Sequence, residues 1–189
     1  MAAVTYTTAI VVIPPQETWA AIQAIRQQHD RKFRRWMPHI TLIYPFRPVD
    51  DLPILHEPLT AAVARVPAFD VTLAEFKAFR HRRENYTIWL KPEPEELLVA
   101  LQEVLSRASL EERSLPSGNR FQPHLSVGQV QGKQRMSRLV EELQEVWKPM
   151  TFRVDRVSII WRRDPPDDVF RVAEAIPLTD ESLERKVPP

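Results

Sequence analysis

The sequence contains no cysteine and only three glycines in 189 residues. Without thiols the chain cannot form disulfides, use a cysteine nucleophile or bind zinc through cysteine, and the lack of disulfides suits a reducing, cytoplasmic setting. So few glycines also argue against the glycine-rich loops that bind nucleotide phosphates in P-loop proteins. Several common catalytic designs are therefore excluded before any motif is considered.

Net charge and long apolar runs are scarce as well. The 26 basic and 25 acidic residues leave a formal charge of +1, so no overall field attracts the chain to nucleic acid. The N-terminal apolar run ends at Pro14 and is too short to span a membrane. The early positive charge that is typical of a signal peptide is absent. Basic residues do cluster at 26–35, 80–83 and 162–163, where a solvated surface is the simplest interpretation.

Hydrophobic periodicity predicts two halves, roughly 1–80 and 81–180, each with the order strand, helix, strand, helix, strand. Such a repeat is typical of an old duplication. We therefore predict a single α+β domain of two pseudo-symmetric lobes over 1–189, with a short C-terminal tail. Each lobe should carry a mostly antiparallel sheet backed by helices, with a central cleft between the sheets. The predicted strands are 4–13, 40–46, 69–79, 86–90, 124–130, 152–161 and 169–178, and the helices are 16–29, 59–66, 97–108 and 136–147.

A short motif begins the third element of each half. Its two copies, PHITL and PHLSV, both read proline, histidine, apolar, hydroxyl, apolar. Because side chains alternate along a strand, His39 and Thr41 should share one face, as should His124 and Ser126. Gly128 continues the second of these faces, and a glycine within a strand often marks the close approach of a ligand or another backbone.

Two histidines with neighbouring hydroxyls suit phosphodiester chemistry. Cleavage needs a base for the attacking oxygen and an acid for the leaving oxygen, and imidazole serves either role near neutral pH. Hydroxyl groups can donate hydrogen bonds to the non-bridging phosphate oxygens. We predict His39 and His124 as catalytic residues, Thr41 and Ser126 as substrate-binding residues, and no metal or other cofactor. Which histidine is the acid and which the base stays open.

The remaining histidines and aromatic residues carry weaker signals. His29, His56 and His81 lack the motif and are expected at the surface or at helix ends. Tyr44 and Phe46 have the strand parity of the apolar motif residues, which predicts that they face the core. Four other aromatic residues could stack on a nucleotide base, although core packing is the commoner role: Trp36, Phe79, Trp89 and Trp161.

The paired motifs resemble those of the 2H phosphoesterase superfamily, which takes its name from two H-x-[ST]-x sequences. HITL at His39 and HLSV at His124 fit this pattern, and PHITLIYPF is most similar to the bacterial branch described as 2′-5′ RNA ligase-like. The resemblance covers almost the whole chain. It implies a bilobal fold, a central cleft lined by both motifs, and catalysis by the two histidines.

The resemblance also implies a nucleotide or RNA-end substrate, and nothing in the sequence implies a membrane or an obligate protein partner. Members of the superfamily act on 2′,3′-cyclic phosphates, 2′-5′ linkages or ADP-ribose derivatives, and the fold does not choose among them. The leading hypothesis is a phosphodiesterase that opens a 2′,3′-cyclic phosphate and leaves a 2′-phosphate. The alternatives are an RNA 2′-5′ ligase or 2′-5′ phosphodiesterase, which a basic track beside the cleft would favour, and a non-catalytic nucleotide- or RNA-binding module.

Overall fold

Strands and helices alternate along the chain in the computed structural model, which describes residues 3–109 and 121–179. The tail after Thr179 lies outside the described residues. Short 3₁₀ turns precede α1, α2 and β4. In chain order the elements are β1 (Thr8–Val12), α1 (Trp19–His29), β2 (Ile40–Ile43), α2 (Leu52–Val63), β3 (Phe69–Arg80), β4 (Asn85–Glu93), α3 (Glu95–Ser109), β5 (Leu125–Gln131), α4 (Lys133–Val146), β6 (Met150–Val154), β7 (Arg156–Trp161) and β8 (Arg171–Pro177).

The strands form two four-stranded sheets. Strand order is β2-β1-β7-β8 in the first sheet and β5-β4-β3-β6 in the second. Every pairing between neighbouring strands is antiparallel. The predicted α+β class, with two antiparallel sheets backed by helices, is confirmed.

Each sheet takes strands from both halves of the sequence. Strand β3, from the first half, pairs with β4 across the short turn at residues 81–84 and so joins the second sheet. Consecutive strands joined by a short connection commonly pair in this way. Strands β7 and β8, from the second half, complete the first sheet. The lobes therefore do not coincide with the sequence halves, and the duplication itself stays a prediction.

Several predicted boundaries are wrong, and the two largest errors have identifiable reasons. The extended segment 152–161 is not one strand, because the chain leaves the second sheet at Asp155 and enters the first. Apolar periodicity on either side of this residue cannot reveal a change of sheet. Helix α2 spans Leu52–Val63 rather than 59–66, because Pro53 occupies its first turn, where proline is tolerated, and Pro58 lies inside the helix without ending it.

A continuous apolar core links the two lobes. One cluster of buried side chains includes Ile10 and Val12 from the first sheet and Ile88 and Leu90 from the second. Helices α2 and α3 pack on each other, with α2 against β8 and α3 against β2 and β4, while α1 packs against β5 and α4 against β3, β4 and β5. Within the described residues, no helix is long and apolar enough to cross a bilayer. The shared core fixes the two sheets relative to each other.

Gly128 allows the C-terminal end of α1 to lie directly on β5. A Cβ atom placed at Gly128 would lie 2.6 Å from the Cβ of His29 and 3.1 Å from its carbonyl oxygen. The predicted close approach at this glycine is therefore made by another segment of the chain, the end of α1. Polar contacts complete the junction, since Gln129 Nε2 donates to Asp30 Oδ1 (3.1 Å) and the Arg31 N–H donates to Gln129 Oε1 (3.1 Å).

Substituting Gly128→Ala should lower the free energy of unfolding by about 1–3 kcal/mol, because the added methyl overlaps His29 in a packed junction. Urea denaturation followed by circular dichroism measures this change. The matched comparison is Gly128→Ala in a His29→Gly background, where the opposing Cβ is gone and part of the loss should disappear. An equal loss in both backgrounds would contradict the contact.

Candidate active site

Strands β2 and β5 bring the two motifs to opposite walls of one cleft. Each is the edge strand of its sheet, and the two strands contact each other. A cavity of about 330 Å³ between them is lined by His39, Thr41 and Ser126. His124 stands two residues before Ser126 and is not among the residues that line this cavity, although its charge acts on His39. Three of the four residues singled out by the motif thus line one cavity, and the fourth lies next to it on β5.

Both motif histidines make the same contact with the backbone. His39 Nδ1 lies 2.7 Å from the carbonyl oxygen of Met37, and His124 Nδ1 lies 2.8 Å from that of Gln122. A carbonyl oxygen only accepts, so Nδ1 must carry the proton and donate it. In each neutral ring Nε2 is therefore the unprotonated nitrogen, free to accept a proton from a bound group.

Burial sets the protonation state of the two rings. Desolvation lowers the pKa of His39 to about 4, opposed by the hydrogen bond to Met37 and reinforced by the charges of Arg26 and His124. Desolvation also lowers the pKa of His124, with the bond to Gln122 opposing it. Both imidazoles are therefore neutral at pH 7, and a phosphate bound between them would raise the pKa of either ring.

An indole packs against the His39 ring. Trp36 stacks on the imidazole with ring centroids 4.7 Å apart and an interplanar angle of 15°. Its ring also stacks on buried Phe170 (3.7 Å, 25°). Trp36 thus supports the histidine from within the cleft wall.

His124 has aromatic neighbours as well. The edges of Phe79 and Trp89 approach its ring at centroid distances of 4.9 and 5.8 Å. Phe79 and Trp89 in turn stack on each other at 4.6 Å. Three of the four aromatic stacking candidates from the sequence therefore pack against a motif histidine, whereas Trp161 is not among the residues that line the cavity.

Tyr44 is not a core residue, contrary to the prediction from strand parity. Strand β2 ends at Ile43, so alternation no longer governs residue 44, whereas Phe46 is fully buried as predicted. Tyr44 is 40% exposed and lines the cleft cavity. Its ring meets Trp36 edge to face at 5.4 Å. It provides an accessible aromatic surface next to His39.

Gln129 reaches the cleft because β5 is irregular. The pairing register shifts between Ile88, opposite Gly128, and Trp89, opposite Ser126, so that Val127 has no partner on β4. This bulge breaks the simple alternation and brings Gln129 to the cavity in place of Gly128. Sequence parity alone could not reveal it.

The C-terminal end of α1 and the loop after it supply further cleft residues. Arg26, Asp30, Arg31 and Lys32 all line the cavity, so the basic cluster at 26–35 is only partly a solvated surface. The Arg26 side chain is 2% exposed. Its guanidinium donates to the Asp30 carboxylate (2.9 Å) and to the carbonyl oxygen of Trp36 (2.9 Å). This buried, fully paired cation holds the loop that carries Trp36.

The other three histidines lie away from the centre of the cleft. His29 ends α1, and exposed His56 pairs with Glu174. Nε2 of exposed His81 lies 2.9 Å from the hydroxyl oxygen of Thr87. Thr87 in turn lines the cavity. In the part of the chain that the structure describes, no three His, Cys, Asp or Glu side chains come together as metal ligands would.

The fold and the facing motifs define a phosphoesterase-type protein with two lobes and one cleft. The chain belongs to the 2′-5′ RNA ligase superfamily, whose family model matches residues 14–166. The resemblance to 2H phosphoesterases is therefore confirmed.

Individual relatives cover nearly the whole chain. A Staphylococcus aureus protein named "Putative phosphoesterase" is 23% identical over 170 residues, covering 89% of this chain and 97% of that one. The structure of TT0787 from Thermus thermophilus superposes with a TM-score of 0.62 and 22% identity, over 93% of this chain and 99% of that one. E. coli LigT, crystallised with 3′-AMP, gives a TM-score of 0.61 and 17% identity, over 93% of this chain and 99% of that one.

The lowered pKa of His39 predicts an acid-sensitive fold. As pH falls from 6.5 toward 4, His39 takes up a proton in the unfolded chain before it does so in the folded protein, so the free energy of unfolding should fall in this window. The pKa of about 4 limits this loss in the free energy of unfolding to about 3 kcal/mol. Because the ring keeps partial solvent access, we expect a loss of about 1–2 kcal/mol.

Urea denaturation at about pH 7 and about pH 4.5 tests this expectation. His39→Gln is the control, since it keeps a polar side chain that does not titrate. The variant should lose less stability than the wild type between the two pH values. The same loss in both proteins would rule out His39 as a source of the acid sensitivity.

Proposed function

We propose that this protein is a metal-independent phosphodiesterase that opens the 2′,3′-cyclic phosphate of nucleotides or RNA ends. The observation that carries the proposal is the pair of imidazoles with matching backbone contacts on facing strands, each followed by a hydroxyl. Membership of a superfamily of phosphoesterases supports the reaction class. Nucleotide binding is supported by the fold, because E. coli LigT has been crystallised with 3′-AMP and with ATP.

The reaction requires one proton to be taken and one to be given. Water attacks the phosphorus while the neutral Nε2 of one histidine accepts its proton. The P–O3′ bond breaks, and the other histidine, protonated on Nε2, donates a proton to the departing O3′. The products are a 2′-phosphate and a free 3′-hydroxyl. Thr41 and Ser126 donate hydrogen bonds to the non-bridging oxygens, where negative charge develops.

Protonation favours one assignment of the two roles. The charge of Arg26 lowers the pKa of His39 in addition to desolvation, whereas desolvation is the cause that lowers the pKa of His124, so His39 is the ring held neutral and able to act as the base. His124 then acts as the acid, once the negative charge of the bound phosphate has raised its pKa. The mechanism needs no metal, because the two imidazoles move both protons and the hydroxyls bind the phosphate.

A second candidate is an RNA 2′-5′ ligase or 2′-5′ phosphodiesterase. In the joining direction, the 5′-hydroxyl of another RNA would replace water as the nucleophile at the same phosphorus. The superfamily description favours this candidate, as do the cationic side chains of Arg31 and Lys32 at the cavity. A non-catalytic binding module would retain the phosphate contacts but would show no turnover.

His39→Ala and His124→Ala should each lower turnover of a nucleoside 2′,3′-cyclic phosphate by on the order of 10² to 10⁴, because each removes a general acid or base. Thr41→Val and Ser126→Ala should cost about tenfold or more, because each removes one phosphate donor. Chromatographic product analysis in EDTA measures the rates and identifies the phosphate position.

His56→Ala is the matched histidine control, because its exposed ring lies on α2, pairs with Glu174 and does not line the cavity. Wild-type turnover should persist in EDTA. Near wild-type rates in either motif variant, or complete loss of activity in EDTA, would refute the mechanism. If all cyclic phosphates remain intact while RNA ends are joined or 2′-5′ linkages cleaved, the second candidate takes precedence.

A further inference from the structure

A second, larger groove opens directly beside the cleft. It encloses about 730 Å³, which is ample for a nucleotide-sized group, and runs between the end of α1 and helix α4. Asp30, Arg31 and Gln129 line both this groove and the cleft cavity. A chain bound in the cleft can therefore continue into the groove without leaving the protein surface.

Cations dominate the lining of this groove. Arg31 comes from the loop after α1, and Arg135 and Arg138 come from the first turns of α4. All three side chains are exposed, and among residues 3–109 and 121–179 no carboxylate forms an ion pair with any of them. Three guanidinium groups are thus available to an anionic ligand.

Acidic residues in the groove do not cancel this charge. The Asp30 carboxylate is already paired with buried Arg26 and accepts bonds from Gln129 Nε2 and the Lys32 N–H. Glu142 is the other carboxylate in the lining. Among the described lining residues, Glu142 is therefore the carboxylate that is not paired with a buried cation, and it is outnumbered by three arginines. The groove thus concentrates positive charge in a chain whose formal charge is only +1.

A second basic segment meets the start of α4. The turn between β3 and β4 carries exposed Arg82 and Arg83, and the carbonyl of Glu84 in this turn accepts a hydrogen bond from the Gly132 N–H (2.9 Å). Gly132 immediately precedes α4. Two basic clusters that are separate in the sequence, 26–35 and 80–83, therefore converge on one side of the cleft.

We infer that this groove binds the phosphodiester backbone of single-stranded RNA whose 3′ end occupies the cleft. The inference rests on the proposed function and narrows its substrate to the terminus of an oligonucleotide rather than a free nucleotide. Guanidinium groups bind phosphate through paired hydrogen bonds, and the amides of Gln27, Gln28 and Gln131 in the lining can bond to ribose hydroxyls.

The lining also predicts little dependence on base sequence. No phenylalanine, tyrosine or tryptophan is among the described residues that line the groove. Stacking on such rings is the usual means of holding the bases of a single strand. Binding should therefore depend on phosphate charge, and uridine and adenosine oligonucleotides should bind alike.

The binding test uses a uridine oligonucleotide of about six residues with a 3′-phosphate and a 5′-fluorophore, followed by fluorescence anisotropy over a range of salt. Arg135→Gln/Arg138→Gln should weaken binding by about tenfold or more. The slope of log K against log salt should become shallower by about 1.4, since each phosphate contact on a single strand contributes about 0.7.

The matched control is Arg65→Gln/Lys148→Gln. It removes the same charge from two exposed residues that line neither cavity and are free of carboxylate partners within the described residues. Affinity and salt slope should stay close to wild type in this variant. Equal effects of the two double variants would overturn the inference, as would binding of polyglutamate in place of RNA.

A turnover test separates this inference from the proposed function. The ratio of kcat/KM for a uridine oligonucleotide ending in a 2′,3′-cyclic phosphate to that for uridine 2′,3′-cyclic phosphate should fall about tenfold in Arg135→Gln/Arg138→Gln. It should not fall in the control. If the enzyme is active and the ratio is unchanged, RNA binding by the groove is overturned and the proposed phosphodiesterase stands. If RNA binding depends on salt and weakens in the groove variant but no turnover is seen, the phosphodiesterase is overturned and RNA binding by the groove is supported.

Discussion

The hydrogen bond from each imidazole to a backbone carbonyl two residues earlier determines what the cleft can do. By holding the proton on Nδ1, the carbonyls of Met37 and Gln122 leave Nε2 of His39 and His124 for the substrate. These carbonyls belong to the segments that lead directly into β2 and β5. The orientation of each imidazole is therefore set by the start of the strand that follows it. Both strands are sheet edges, and a common apolar core holds the two sheets together.

The end of α1 is the second element on which the cleft depends. Buried Arg26 binds the Asp30 carboxylate and the carbonyl of Trp36, and Trp36 stacks on His39. Asp30 also accepts a bond from Gln129 on β5. One network therefore supports the His39 ring, joins the two lobes and forms the boundary between the cleft and the basic groove. A charged cluster in the sequence thus serves both packing and substrate binding.

Much of the site could be predicted because strand alternation is a local property. It places each motif histidine on the same face as its hydroxyl, and the repeated order of elements indicates two lobes. Where the backbone departs from regular geometry, prediction from parity fails. Strand β2 ends before Tyr44, which reaches the cleft, and the bulge in β5 brings Gln129 to the cavity instead of Gly128. The change of sheet at Asp155 depends on long-range pairing, which local periodicity does not contain.

Histidine ¹⁵N spectra of the labelled protein, recorded at neutral pH with and without uridine 2′-phosphate, test most directly whether the two imidazoles form one phosphate site. His39→Gln and His124→Gln assign the resonances. We expect both rings in the Nδ1–H tautomer in the free protein, and we expect the Nε2 resonances of both to shift when the nucleotide binds. An Nε2–H tautomer in either ring, or a nucleotide that binds without affecting both rings, would contradict the paired site.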